Sequence, residues 1–324
     1  MRKHKAGSIA NGCCLAAIVA GLTMTTPASA QAVEPEPQEQ EIEPEGERAE
    51  QLDVIVVTAQ RRAENLQDVP IQVAAFSEEI IENAGIRSTS DFIDLVPNVS
   101  FDESFTYLNS FVVVRGVTQI NNADSPIAVI VDGVPQNSQK QLDLNLFDVE
   151  RIEVLKGPQG GLYGRNAIGG AINIVTRAPS NEFEGFARAI YGRGDALELT
   201  GAVSGPVVVD MAAFRIAGNY KQDNGRIRNT FLNENADFID HDYEVRGKLN
   251  VEPTSALDLD FRAAYRDFRA GAIYDSIVPS GRADDYRLPN MNIEGVTFGD
   301  IFDASFKFDY DLGGATLTGI TAHT

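Results

Sequence analysis

The chain has 324 residues, of which 47 are acidic and 27 basic, so its formal net charge is −20. This acidic balance excludes nucleic acid as a partner, because a nucleic-acid-binding surface needs a positive footprint. The length is enough for two domains. The two cysteines, Cys13 and Cys14, lie in an N-terminal segment that we expect to be cleaved off. We therefore expect neither a disulfide framework nor a cysteine metal site.

Residues 1–30 predict a cleavable signal peptide. Three basic residues stand at the start, residues 13–22 are apolar but too short to span a bilayer, and Ala-Ser-Ala at 28–30 is a cleavage site. An uncleaved anchor is the alternative, which the short apolar run disfavours. No later run approaches the roughly 20 apolar residues of a membrane helix, so an exported chain of this kind is either soluble outside the cytoplasm or a β-barrel.

Residues 31–52 predict a disordered acidic linker. Eight glutamates alternate there with three prolines, a composition that keeps a chain extended. The next segment, residues 53–62, opens with the strand-prone run Asp-Val-Ile-Val-Val-Thr-Ala. We interpret it as a strand available to a partner's sheet, because β-augmentation needs only a flexible, strand-prone segment. An edge strand of the following domain is the alternative.

Residues 63–179 predict one compact α/β unit, long enough to bury a modest core. Helix-capping serines and β-branched runs bounded by turn residues support this interpretation. The expected elements are, in chain order, a strand at 71–76, a helix capped by Ser77 and closed by Gly85, a helix at 91–96 capped by Ser90, and strands at 111–116 and 127–131.

Residues 148–179 predict a strand, a glycine-rich loop and a second strand. The loop lacks the Lys-Ser/Thr ending of a phosphate-binding loop and the GxGxxG spacing, the chain has no GxSxG elbow, and its histidines have no ligand spacing. We therefore expect no enzyme activity, no metal site and no cofactor. Instead, the glycines predict close backbone packing. They are Gly160, Gly161, Gly164, Gly169 and Gly170.

Residues 180–324 predict about seven amphipathic strands of nine to twelve residues. In residues 243–252, for example, apolar side chains alternate with charged or polar ones, which is typical of a strand with two different faces. Short links alternate with long polar loops, such as residues 223–242 and 269–299. This pattern favours an outer-membrane barrel, and a soluble β-sandwich is the alternative.

Several segments resemble TonB-dependent outer-membrane receptors. DVIVVTAQRR is similar to the TonB box, and DVPIQVAAFSEE, VVVRGV, AVIVDGVP and ERIEVLKGPQGGLYGRNAIGGAINIVTR are similar to successive signatures of the plug domain. The resemblance implies an α+β plug domain followed by antiparallel transmembrane β-barrel strands. Because the family barrel has 22 strands, we expect a truncated receptor, incomplete over residues 180–324. Gly161 departs from the Thr, Ser or Ala that the family usually carries there.

The resemblance also implies a function and its partners. We expect active import of a scarce solute, most often a ferric siderophore, across the Gram-negative outer membrane, with contact to membrane lipid. TonB, energised by ExbB–ExbD, would pull on the plug through the box. The alternative is a non-transporting fragment that binds TonB in the periplasm. The TonB-binding residues so implied are Val54, Ile55, Val56, Val57, Thr58 and Ala59.

Two further sets of site residues follow from the resemblance. Arg115 of VVVRGV and Lys156 of LKGP match plug cations that face barrel-wall glutamates, since buried charges need partners; solvated basic groups are the alternative. The plug tips are expected in three links, 101–110, 118–125 and 136–141. Their expected solute contacts, with solvated loop residues as the alternative, are Phe105, Tyr107, Asn122 and Gln139.

Overall fold

A computed structural model describes residues 56–57, 64–65, 72–104, 106–117, 119, 125–136, 138–164, 166–272 and 287–324. The predicted signal peptide and acidic linker lie outside the described residues. So do six of the predicted site residues: Val54, Ile55, Thr58, Ala59, Phe105 and Asn122. Among the described residues, no helix is long and apolar enough to cross a membrane. Residues 53–324 form one compact unit.

The N-terminal part of this unit is built from short elements, and we call its residues 72–179 the plug. The elements up to this boundary are β1 (Val56–Val57), β2 (Glu64–Asn65), β3 (Val73–Ser77), α1 (Glu78–Asn83), α2 (Thr89–Ile93), β4 (Val99–Glu103), β5 (Ser110–Val114), β6 (Ile127–Val131), β7 (Val134–Gln136), a 3₁₀ turn (Gln139–Gln141), β8 (Val149–Lys156), α3 (Gly160–Tyr163) and β9 (Gly170–Thr176).

The plug is organised around a five-stranded sheet in the order β3-β8-β9-β6-β7. The β6–β9 pair is parallel and the other pairs are antiparallel. All five residues of β6 are buried, because helices and loops cover one face of the sheet and the other face packs against a second apolar cluster. Phe76, Phe92 and Ile152 are central to the larger cluster.

The first predicted helix is confirmed and the start of the second is corrected. The Ser77 hydroxyl accepts a hydrogen bond from the backbone N of Ile80, and Gly85 ends the turn at φ +67°. The second helix is capped by Ser88 rather than Ser90. The reason is the Asp91 carboxylate, which accepts hydrogen bonds from the backbone N of Arg87 at 2.9 Å and of Ser88 at 2.8 Å.

Two predicted boundaries near the plug tips are also wrong. The strand expected at 111–116 ends at Val114, because Arg115 and Gly116 have φ values of +49° and +80° and turn the chain. The expected link at 101–110 is shorter, because β4 continues to Glu103 and pairs with β5. Of the link that remains, we call the described residues 106–109 the apical link.

The glycines between β8 and β9 divide into two groups. A Cβ on Gly170 would lie 2.3 Å from the carbonyl oxygen of Leu155, and one on Gly169 would lie 3.2 Å from the Cβ of Val114. In contrast, a Cβ added to Gly160, Gly161 or Gly164 would meet no described atom within 4 Å. The expected close packing therefore holds for two of the five glycines, where β9 starts beside β8.

The C-terminal part is a sheet of seven antiparallel strands that we call the wall. Its strands follow one another in chain order, and the predicted number of strands is confirmed. The elements are β10 (Glu184–Gly192), β11 (Ala196–Val208), β12 (Ala212–Asp223), β13 (Arg228–Asn229), β14 (Glu234–Asn235), β15 (Ile239–Thr254), β16 (Leu257–Gly271), β17 (Val296–Asp311) and β18 (Thr316–His323). The short β13–β14 pair lies apart from the wall, in the loop between β12 and β15.

The wall strands contain 8 to 16 residues, so several are longer than predicted. The extra length comes from pairing that continues, through small irregularities, into residues expected to be links. The predicted alternation is confirmed, since one face carries the polar side chains that meet the plug. The other face exposes large apolar side chains, among them Leu199, Ile216, Val245, Leu249, Phe261, Tyr265, Phe302 and Tyr310.

Candidate functional site: the plug–wall interface

The plug docks on the polar face of the wall through three groups of charged side chains. The wall side chains of each group lie at alternate positions of their strands, because every second residue of a strand points to the face that meets the plug. Charges at such an interface are costly unless they are paired, and here carboxylates meet arginine or lysine. The centres of the three groups are Asp132 and Asp148 of the plug and Asp242 of the wall.

Asp132 lies in the tight turn between β6 and β7, with φ +50° followed by Gly133 at +83°. Its two carboxylate oxygens lie 3.2 Å from the Lys248 Nζ and 3.2 Å from the Arg262 Nε. The backbone N and hydroxyl of Thr176 also donate to it, at 2.9 and 2.8 Å. Burial alone would raise the pKa of Asp132, but the charges of Lys248, Arg262 and Arg246, with the hydrogen bond from the Thr176 backbone, hold that pKa below its usual value.

Because the pKa of Asp132 is lowered, its contribution to plug docking should weaken as the pH falls. A carboxyl whose pKa is lower in the folded than in the unfolded state stabilises the fold above its unfolded pKa of about 4 and loses that contribution as pH falls further. We expect Asp132→Asn to destabilise the docked plug by about 2 kcal/mol at pH 7. In urea unfolding, the difference in the free energy of unfolding between wild type and variant should be smaller at pH 3 than at pH 7. An equal difference at the two pH values would contradict the prediction.

Asp148 forms a two-bond ion pair with Arg215 of β12. The Arg215 Nε donates to the Asp148 Oδ2 at 2.8 Å, and its Nη2 donates to the Oδ1. Both side chains are almost fully buried. Arg215 also binds Glu184 of β10 at 2.8 Å, so this arginine links the start of β8 to two wall strands.

Asp242 of β15 is fully buried and receives donors from the wall and from the plug. Arg266 of β16 donates to it twice, at 2.9 and 2.6 Å. The Tyr107 hydroxyl of the apical link donates at 2.5 Å. Burial and the Asp242 carboxylate raise the pKa of Tyr107 well above its usual value, so its hydroxyl stays protonated and continues to donate.

The segment 140–148, which begins within the 3₁₀ turn and ends at the start of β8, supplies most of the remaining contacts, and we call it the anchor segment. No role was predicted for residues 142–148, because their alternating apolar and polar side chains indicate two different faces but not what lies against them. Its contacts with the wall are Lys140 Nζ to Thr297 Oγ1, Gln141 Nε2 to Asp303 Oδ1, Arg266 Nη1 to the Asp143 carbonyl, Lys221 Nζ to Asn145 Oδ1, Arg246 Nη1 to the Phe147 carbonyl, and the Asp148–Arg215 pair.

The predicted site residues do not come together in one place. Arg115 is exposed, and its Nη2 donates to Gln72 at 3.2 Å. The Lys156 backbone N bonds to the carbonyl of Gln72, and neither cation makes an ion pair with another described residue. Gln139 is half-buried and donates to the carbonyl of Ser110 at 3.3 Å. Wall glutamates for the two cations and solute contact by Tyr107 and Gln139 therefore stay predictions.

The structure also bears on the TonB-binding prediction. Val56 and Val57, the described part of that segment, form β1 and pair antiparallel with Asn65 and Glu64 of β2. The strand character expected there is observed at these two positions. No group of His, Cys, Asp or Glu side chains is arranged to hold a metal ion in the described part of the chain.

Comparison with known proteins gives matches in sequence and in structure. The family described as "TonB-dependent Receptor Plug Domain" matches residues 65–171. The pesticin receptor of Yersinia pestis is 32% identical over 157 residues, which are 47% of this chain and 23% of that protein. The vitamin B12 transporter BtuB of Vibrio vulnificus is 30% identical over 178 residues, which are 53% of this chain and 28% of that protein.

The fold matches a larger share of the chain. The crystal structure of the ferric yersiniabactin uptake receptor FyuA from Yersinia pestis superimposes with a TM-score of 0.71 at 22% identity, and covers 78% of this chain and 40% of that one. The chain therefore spans less than half the length of these relatives. Its plug and wall together have the fold of the corresponding part of such a receptor.

Proposed function

Because this chain belongs to the TonB-dependent receptor family, we propose that it takes part in TonB-dependent import of a scarce, bulky solute across the Gram-negative outer membrane. The observation that carries the proposal is a plug docked by ion pairs on the polar face of an amphipathic antiparallel sheet. Such a plug can close a lumen in one arrangement and open it in another. The matched relatives are receptors and transporters, which agrees with a protein that is not an enzyme.

The outer face of the wall supports a membrane location. Exposed aromatic side chains lie at Phe183, next to the first wall strand, and at Tyr191, near its other end. Ten residues of strand span about 33 Å, and a tilt of about 40° reduces this to about 25 Å, the height of the apolar band of outer-membrane barrels. The sheet has two outer strands, β10 and β18, so import requires a wall completed by further strands, because unpaired edges are not tolerated in hydrocarbon.

The segment that contains β1 is the proposed coupling element. TonB, driven by ExbB–ExbD, would add a strand to residues 54–59 and pull on β3 and the plug behind them. Over the described residues the pairing with β2 covers only Val56 and Val57, and a longer ladder with TonB can replace it. This role supports a mechanism in which energy reaches the plug from the periplasmic side.

The proposed solute is a ferric siderophore. Its support is the names of two relatives. One is the ferric yersiniabactin uptake receptor FyuA, and the other is named as a probable TonB-dependent siderophore receptor. The vitamin B12 transporter among the relatives is named for a different solute, so vitamin B12 belongs in a growth test as the second candidate. The solute would reach the plug from outside and TonB from the periplasm, so the plug must carry a signal between them.

The TonB interaction is tested by Val56→Pro, with Val56→Ile as its control. Proline removes a backbone donor from a strand, whereas isoleucine keeps both the donor and the strand preference. We expect capture of the chain by purified TonB to fall at least tenfold for Val56→Pro and to stay unchanged for Val56→Ile. Equal capture of all three chains would contradict the assignment of this segment.

Membrane insertion requires a separate experiment. With its wall completed by further strands, we expect the protein in the outer-membrane fraction, with the heat-modifiable gel mobility that closed barrels show, and TonB-dependent growth on the solute. A chain that stays in the periplasm and still binds TonB would instead support the alternative function, that of a TonB-binding interaction module. The observation in favour of this alternative function is the open seven-stranded sheet.

A further inference from the structure

The apical link contains a strained residue that something must hold in place. Leu108 has φ +60°, a left-handed conformation that is unfavourable for a residue with a Cβ, and its side chain is only 2% exposed. The backbone N of Asn109 donates to the carbonyl of Thr106, which closes the turn around it. Such strain persists only where surrounding contacts determine the conformation, and it is concentrated at functional and switching positions.

Contacts with the wall hold the apical link. Thr106 forms an isolated antiparallel bridge with Ala272, just beyond the end of β16. The Tyr107 ring packs against Phe268, with centroids 6.2 Å apart, and its hydroxyl donates to Asp242 at 2.5 Å. The hydrogen bond to a buried carboxylate is the strongest of these contacts, because one partner is ionised.

Asp242 connects this link to a second, distant part of the plug. Arg266, held by Asp242, donates through its Nη1 to the carbonyl of Asp143 at 2.9 Å. The amide of Asn145 approaches both oxygens of Asp242 at 3.5 Å. One wall carboxylate thus contacts the apical link through Tyr107, and the anchor segment both through Asn145 and through its own partner Arg266.

The anchor segment leads towards the proposed TonB-binding end of the chain. It runs directly into β8, and residues 151–155 of β8 pair with β3, the first plug strand. A displacement at Asp242 can therefore reach β3 through hydrogen bonds and one strand pair, without passing through the rest of the plug core.

We propose that Tyr107 is a positioning residue that latches the apical link to Asp242, and that opening this latch loosens the anchor segment. The latch rests on the proposed function, since import requires the plug to be released. Tyr107 then acts through the wall and not by touching the solute. A solute that lifts the apical link would break the hydrogen bond and leave Asp242 and Arg266 paired with each other.

The test is hydrogen exchange on the full chain in detergent, comparing wild type with Tyr107→Phe. Phenylalanine keeps the ring on Phe268 and removes only the hydroxyl, so the variant is expected to fold. We expect exchange to rise about tenfold at the protected amide of Asn109 and also at those of Leu144 and Leu146 in the anchor segment. The control is Tyr265→Phe, because this tyrosine lies on the exposed outer face of β16, and it should change neither region.

The rise in the anchor segment separates a latch from a local packing role. Unchanged exchange at Asn109 would overturn the proposal, because the hydroxyl would then hold nothing. Faster exchange at Asn109 alone would overturn it as well, because the effect would stop at the apical link. Neither measurement needs TonB or a solute, so the result does not depend on the proposed function.

TonB capture without solute connects the latch to transport. We expect Tyr107→Phe to increase capture severalfold over wild type. If Val56→Pro lowers capture and Tyr107→Phe leaves it unchanged, the latch plays no part in release and the proposal is overturned. If capture is insensitive to both substitutions, the assignment of the TonB-binding segment fails, and the exchange data alone decide the latch.

Discussion

Gly170→Ala should destabilise the plug by about 3 kcal/mol or more, and this is the largest effect we expect from a single methyl group within the plug. The added Cβ would lie 2.3 Å from the carbonyl oxygen of Leu155, which belongs to the neighbouring strand and cannot move without breaking the sheet. Gly170 is also the first residue of β9, where it pairs with Lys156 of β8 and with Ile127 of β6. Urea unfolding followed by protease protection measures the loss.

Gly161→Ala is the matched control. Gly161 lies in α3, needs no left-handed conformation and has no described atom within 4 Å of the position its Cβ would take. We expect a change within about 0.5 kcal/mol, as for an ordinary surface substitution. Similar losses for the two variants would mean that the glycine-rich loop is uniformly packed, as the glycine spacing alone predicts, and would contradict the division into two groups.

Arg215→Met should weaken plug docking by about 3–5 kcal/mol, because it leaves the buried Asp148 carboxylate without its main partner. Methionine preserves much of the side-chain volume, so the loss comes from the charge and its two hydrogen bonds. We expect a lower urea midpoint for the plug and faster proteolysis of the anchor segment. A midpoint equal to that of wild type would show that the pair does not hold the plug.

Two further variants separate this ion pair from a general loss of charge. Arg188→Met removes an exposed arginine of β10 and should change the midpoint little, because isolated exposed charges contribute at most about 1 kcal/mol. The double variant Asp148→Asn, Arg215→Met should lose less than the sum of its single variants, since only the double variant removes both buried charges at once. Additive losses would argue against a direct interaction between the two side chains.

Much of the fold could be predicted because local chemistry controls it. Ser77 followed by two glutamates predicted a helix start, and the alternation in residues 243–252 predicted which wall side chains face the plug. Errors arose where two local signals compete. Ser90 resembles a cap as well as Ser88 does, and only the hydrogen bonds of Asp91 decide between them.

The candidate site was less predictable. Tyr107 and Asp242 are 135 residues apart in sequence, and Asp148 and Arg215 are 67 apart. No local pattern indicates such partners, because they depend on the register of several strands at once. The anchor segment was missed for the same reason, since its polar residues acquire a role only when the wall lies against them.

The sequence by itself determined the parts that depend on neighbouring residues: the strand period, the turns, the polar and apolar faces of the wall, and the family to which the segments are similar. The tertiary structure alone decided which charges meet. It assigned Tyr107 to Asp242, Asp132 to Lys248 and Arg262, and close packing to Gly169 and Gly170. The physical reason is range: backbone conformation responds to adjacent side chains, whereas docking depends on strands that the chain brings together over long distances.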